Sequence, residues 1–86
     1  MDRRRRLLER LRRGHCDNVS FADFRDLLEA FGFTLDRITG SHHHFYHPSL
    51  PRPLTIQPRG RQAKTPQIRH FLRQIDTYNL TLETKP

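Results

Sequence analysis

The stretch Phe33-Thr34-Leu35-Asp36-Arg37-Ile38-Thr39-Gly40-Ser41-His42-His43-His44-Phe45-Tyr46-His47-Pro48 reads as a β-hairpin. Over Phe33–Ile38 apolar and polar residues alternate, Phe33 and Leu35 against Thr34 and Asp36, the period of a half-buried strand. Thr39-Gly40-Ser41 turns the chain, His42–His47 runs back, and Pro48, which has no N–H for a ladder hydrogen bond, closes it. Four of the chain's six histidines lie in this second strand. Histidine is the side chain that ordinarily titrates nearest neutrality, so it is the usual proton carrier in catalysis and a common metal ligand. Successive strand residues alternate faces, which puts His42 and His44 on one side and His43, Phe45 and His47 on the other. Alternation alone leaves open which side meets the rest of the protein.

Downstream, Ser49-Leu50-Pro51-Arg52-Pro53 is too rich in proline for regular pairing and forms a loop. Leu54-Thr55-Ile56-Gln57 is a third short strand, with Leu54 and Ile56 facing one way. Pro58–Ala63 is a basic loop. A helix follows, predicted to be capped by Thr65 with Pro66 at its first position. Ile68, Phe71, Leu72 and Ile75 form its buried face; Arg69 and Arg73 share an exposed flank, and Gln67, His70 and Gln74 the other. Tyr78, Leu80 and Leu82 predict an ordered tail, either an added strand or a segment that meets a partner.

Upstream, Ser20–Phe31 is a helix with Ser20 as cap, Asp23 and Asp26 near the positive end of its dipole, and Gly32 as stop. Its stripe of Phe21, Phe24, Leu27, Leu28 and Phe31 is core, since nothing polar is paired with it. Asp2–Arg13 is a short helix whose Leu7, Leu8 and Leu11 form a narrow apolar line on an arginine-covered rod. A helix of that length is marginal alone, so it must dock on the rest or fray. Gly14 ends it, and His15-Cys16 in the following loop lacks the second ligand pair that a zinc site needs. The fold class is α+β: a small three-stranded antiparallel sheet with two helices on one face, in the order α-β-β-β-α, preceded by an extra N-terminal basic helix.

Eighty-six residues make one domain, better suited to a shallow surface site than to a deep pocket. No apolar run approaches membrane-crossing length, and the N-terminus has no apolar signal region. One cysteine, Cys16, cannot form an internal disulfide, which fits a reducing cytoplasm. The net charge of +7 is unevenly spread. Arg3, Arg4, Arg5, Arg6, Arg10, Arg12 and Arg13 crowd the first helix. Between Asp36 and Asp76 there is no acidic residue, while Arg37, Arg52, Arg59, Arg61, Lys64, Arg69, Arg73 and five histidines lie there. Such a one-signed surface attracts polyanions, of which nucleic acid is the commonest in a cell.

Gly40-Ser41-His42-His43, the aromatic pair Phe45-Tyr46, and His47-Pro48 resemble the signature of the HicA family of toxins. The resemblance continues through Leu54-Thr55-Ile56, the basic glycine-containing loop, and Lys64-Thr65-Pro66-Gln67-Ile68-Arg69-His70-Phe71-Leu72-Arg73-Gln74. The family's corresponding helix commonly opens on a Lys-Pro-Gly-Thr-like turn and ends in Leu-Arg-Gln. It covers roughly residues 20 to 76, dividing the chain into a basic helix over 1–14 and a single HicA-like α-β-β-β-α domain over 15–86. It implies a double-stranded-RNA-binding-like fold, an mRNA interferase that cleaves mRNA independently of the ribosome, and neutralisation by a HicB-type antitoxin. Carried onto this chain, it makes His42 the catalytic histidine. Two departures stand out: many relatives carry a histidine where this chain has Pro58-Arg59, and the arginine-rich first helix is additional to the family core.

RNA supplies its own nucleophile, the 2′-hydroxyl. A catalyst must take that proton, stabilise an anionic phosphorane and protonate the leaving 5′-oxygen. His42 is the natural base, carried by the Gly40-Ser41 turn. Arg59, Arg61 and Lys64 are the cations for the phosphorane, and Arg69 and Arg73 extend the RNA-binding surface. His43 and His47, with His44 beside them, are the candidate acids. Ser41 is a turn residue rather than a nucleophile. A metal held by His42 and His44 is the rival chemistry, but this region has no carboxylates to ligate a metal pair. No cofactor is expected. Two other readings stay open: an RNA-binding module of the same fold without catalysis, and a basic surface that mainly recognises an acidic antitoxin.

Overall fold

The computed structural model describes residues 2–82 as three helices and one antiparallel sheet. The elements are α1 (Arg3–Arg12), α2 (Phe21–Ala30), β1 (Thr34–Thr39), β2 (His42–Tyr46), β3 (Leu54–Ile56) and α3 (Thr65–Tyr78). The strands lie in the order β1-β2-β3, so the histidine strand is central.

Local chemistry sets the ends of α2. The Ser20 hydroxyl accepts from the Asp23 amide at 3.0 Å, satisfying an N–H that the helix cannot. At the other end Gly32 has φ +92°, and the Phe33 amide donates back to the Leu28 carbonyl at 3.1 Å. That pairing is a Schellman closure, which needs a residue free to enter the left-handed region. Phe33 is thereby turned under the helix and is itself buried.

The core fills the space between α2, α3 and one face of the sheet. Phe71 of α3 stands at its centre, edge-on to Phe24, Phe31 and Phe33 with ring centroids 5.6, 5.4 and 6.1 Å away. Phe45, Leu54 and Ile56 form the sheet's contribution, all almost wholly buried. Both helices therefore cover the Phe45 face, as the predicted layout requires.

Three details depart from the sequence reading. The β1–β2 ladder pairs Leu35 with Phe45 and then Arg37 with His44, so Asp36 is a bulge. The extra residue reverses the alternation beyond it: Arg37 goes to the uncovered face and Ile38, opposite His43, to the helix side, although Ile38 stays 52% exposed. The cap of α3 is Lys64, not Thr65, and Lys64 makes no side-chain capping bond. The Thr65 hydroxyl instead bonds the Cys16 carbonyl and the Asp17 carboxylate, both at 3.2 Å, tying α3 to the loop after α1. Leu72 is only half-buried.

The predicted tail is ordered as far as it is described, but it is no strand. Tyr78 is the last residue of α3, Asn79 closes the helix in the left-handed conformation, and Leu80 is buried in the core with Leu82 against it. The tail's remainder lies outside the described residues. The basic α1 does dock: Leu11 is 1% exposed in the common core, and Leu7 and Leu8 pack beside it. Arg12 reaches Asp76 of α3 through paired bonds of 3.2 and 3.0 Å, and Arg3 lies 3.7 and 3.5 Å from Asp23 and Asp26 of α2. Among the described residues no helix is long and apolar enough to cross a membrane.

Candidate active site

Gly40 and Ser41 are the two central residues of the hairpin turn, between the paired Thr39 and His42. Gly40 has φ +61° and Ser41 does not enter the left-handed region. Positive φ at the first position alone marks a type II′ turn, whose twist suits a hairpin and which favours glycine there. His42 is thus the first residue of β2, fixed by the turn before it and the ladder after it.

Register decides the faces of the four histidines. Phe45 lies opposite Leu54 and His43 opposite Ile56, both on the helix side. His43 packs edge-on against Phe21 with ring centroids 4.9 Å apart, and its Nδ1–H donates to the Ser41 carbonyl at 3.1 Å. His47 is buried beyond the strand's end. Its Nε2–H donates to the Phe31 carbonyl at 3.0 Å, its Nδ1 accepts from the Ser49 amide at 3.0 Å, and its ring lies 4.9 Å from that of Phe33. At 9% exposed and with both nitrogens engaged, His47 ties β2 to the C-terminus of α2 and is out of a polynucleotide's reach.

His42 and His44 point to the uncovered face. His44 is held between strands, with Nε2 2.6 Å from the Thr39 hydroxyl and Nδ1 2.9 Å from the Thr55 hydroxyl. Sequence reasoning missed this clamp; its signal was the pair of threonines at positions that register brings to the same face. His42 is exposed and, among the described residues, its ring makes no hydrogen bond. No three His, Cys, Asp or Glu side chains converge as a metal site would require, among the described residues.

His42 begins β2 where β3 ends, since antiparallel pairing matches His43 to Ile56. The same end of the sheet receives the basic loop. The Phe21 amide of α2 donates to the Arg61 carbonyl at 2.8 Å, the Ala63 amide to the Val19 carbonyl at 2.8 Å, and the Gln57 amide to the Gln67 side chain at 2.9 Å. Those bonds gather Arg59, Arg61 and Lys64 and the N-termini of α2 and α3 around one edge, so two positive dipole ends add to three cations. Arg69 and Arg73 are elsewhere, on the exposed flank of α3, which packs on the sheet's other face. None of these five cations makes an ion pair among the described residues. Beside the loop is an open hollow of about 770 Å³ walled by Asp17, Asn18, Arg59, Lys64 and Thr65; His42 is not in its wall.

The chain's sequence matches the family model described as the HicA toxin of bacterial toxin–antitoxin systems over residues 21–76. Comparison with curated proteins and with solved structures gave no match. The matched span begins at the first residue of α2 and ends two residues before α3 does, so it holds the whole sheet, both helices that cover it and every histidine of β2, and leaves α1 outside. With its fold and the hairpin motif agreeing over that span, the chain belongs to the HicA family of toxins.

Proposed function

We propose that this toxin is a metal-independent endoribonuclease acting on mRNA, with His42 as general base. The observation that carries this reading is the contrast among the histidines of β2 and the residue after it: the rings of His43, His44 and His47 each make a hydrogen bond, whereas His42 is exposed with neither ring nitrogen bonded among the described residues. In the proposed reaction His42 takes the proton of a ribose 2′-hydroxyl. The 2′-oxygen then bonds to the adjacent phosphorus, and the bond from phosphorus to the 5′-oxygen breaks, leaving a 2′,3′-cyclic phosphate. Arg59, Arg61 and Lys64 offset the charge of the phosphorane, and Arg69 and Arg73 extend the positive surface along α3. The departing 5′-oxygen needs a proton, and of the two candidate acids His43 is the better donor: its Nε2 is uncommitted and carries the proton to be given when the ring is an imidazolium, with Nδ1–H kept on the Ser41 carbonyl. His47 lacks an open nitrogen for that step.

A HicB-type antitoxin is the proposed partner of this family member, seated over His42 and the basic loop. An acidic partner would be steered to that end by its charge. The competing reading is RNA binding without cleavage, supported by Pro58-Arg59 standing where many relatives carry a histidine.

Purified protein incubated with a defined RNA in EDTA separates the two. Cleavage to cyclic-phosphate ends by the parent, reduced about 100-fold or more in His42→Ala, is expected of a general base. Equal cleavage and equal growth arrest by both proteins would remove His42 from the reaction. Salt-sensitive binding with no cleavage by either would favour the binding module.

A further inference from the structure

The uncovered face of the sheet carries a line of three ring-bearing side chains. His42, His44 and Tyr46 occupy alternate positions of the central strand, on the face away from Phe45 and the helices packed against it, and among the described residues no helix lies over them. Tyr46, at 53% exposed, is one of two large apolar side chains left in solvent among the described residues. Tyr46 is the last residue of the central strand, opposite Thr34, and a tyrosine exposed there gains little from the core on the sheet's other face. His44 is equally unexplained by catalysis: with both nitrogens on threonine hydroxyls it has no free proton site, and what remains to it is the face of its ring. The bulge at Asp36 then brings Arg37 to this face, directly opposite His44.

We infer that this face is a stacking platform for single-stranded RNA, on which bases flanking the scissile phosphate rest against Tyr46 and His44 while Arg37 meets the backbone. This rests on the nuclease reading only for the position of His42 at the platform's end. Bases stack on aromatic side chains without regard to sequence, and exposed rings beside cations are the usual means of gripping unpaired strands. Spacing selects the single strand. Alternate residues of a strand are about 6.8 Å apart, twice the roughly 3.4 Å rise of stacked bases. A strand that engages successive rings must therefore be unstacked, which an A-form duplex cannot be without melting. The occupant is RNA rather than an acidic protein because the platform runs into His42 and offers ring faces where a protein surface would need apolar cover.

The chain has no tryptophan, so Tyr46→Trp installs a single reporter. In a protein that also carries His42→Ala, an unstructured RNA oligonucleotide should quench its fluorescence, and a duplex of the same sequence should not. In the otherwise native protein, Tyr46→Ala should raise KM for the oligonucleotide about 5- to 150-fold, the usual worth of one stacked base, with Tyr46→Phe close to the parent. Quenching without cleavage in the parent would keep the platform and sink the nuclease. Cleavage that depends on His42, with no quenching and no effect of Tyr46→Ala, would sink the platform alone. Equal quenching by duplex, or a Tyr46→Ala protein that escapes its antitoxin yet cleaves normally, would also overturn the inference.

Discussion

Four histidines in and just beyond one strand divide their work according to what each ring nitrogen touches. His47 has the most to lose structurally, because the Phe31 carbonyl it satisfies belongs to the capping residue of α2. Leaving a buried carbonyl unpaired costs about 1–3 kcal/mol. His47→Ala should therefore lower unfolding free energy by that amount in urea titration, while the folded variant cleaves RNA at the parent rate. His43→Ala should do the reverse, slowing cleavage with a smaller effect on stability. A cleavage rate that fell with His47 and not with His43 would exchange their roles. The residue letters gave no hint of this division: the structural and the exposed histidines differ only in what the register and the α2 terminus bring to them.

At the scale of elements, α1 is fastened in two ways of unequal worth. Leu11 is 1% exposed, whereas the Arg12–Asp76 pair has side chains 40% and 68% exposed. Truncating a buried leucine usually costs about 2–5 kcal/mol, a solvent-exposed ion pair at most about 1 kcal/mol. Leu11→Ala should thus destabilise the protein several times more than Arg12→Ala in thermal or chemical denaturation. Equal losses would mean that charge, not burial, holds the helix. Leucine spacing had already marked the docking line of α1. The Asp36 bulge and the Lys64 cap were not legible, because each depends on a partner distant in sequence: β2 for the bulge, and the Cys16–Asp17 loop that claims the Thr65 hydroxyl.

Across the whole molecule, the basic surface has two sectors rather than one. Arg59 and Arg61 lie at the His42 edge, and Arg69 and Arg73 on α3. Each phosphate neutralised on a single strand contributes about 0.7 to the slope of log binding constant against log salt. Replacing Arg59 and Arg61 together by alanine should flatten that slope by about 1.4 if both meet phosphates, and replacing Arg69 and Arg73 should flatten it further. The two double variants, titrated with RNA at several salt concentrations, test each sector separately. An unchanged slope in either removes that sector from the RNA path.

The sequence by itself determined the order of elements, the Ser20 cap of α2, the glycine turn and the phenylalanine stripe, all set by interactions within a few residues. It also carried the family match across the sheet and the helices covering it. Only the tertiary structure decided which face of β2 is covered. Each face of that strand holds histidines and one aromatic, Phe45 on one and Tyr46 on the other, so alternation had nothing with which to choose. Pairing Phe45 with Leu35 and Leu54, and His43 with Ile56, assembled a continuous apolar surface that water expels onto the helices. That same choice turned His42 outward.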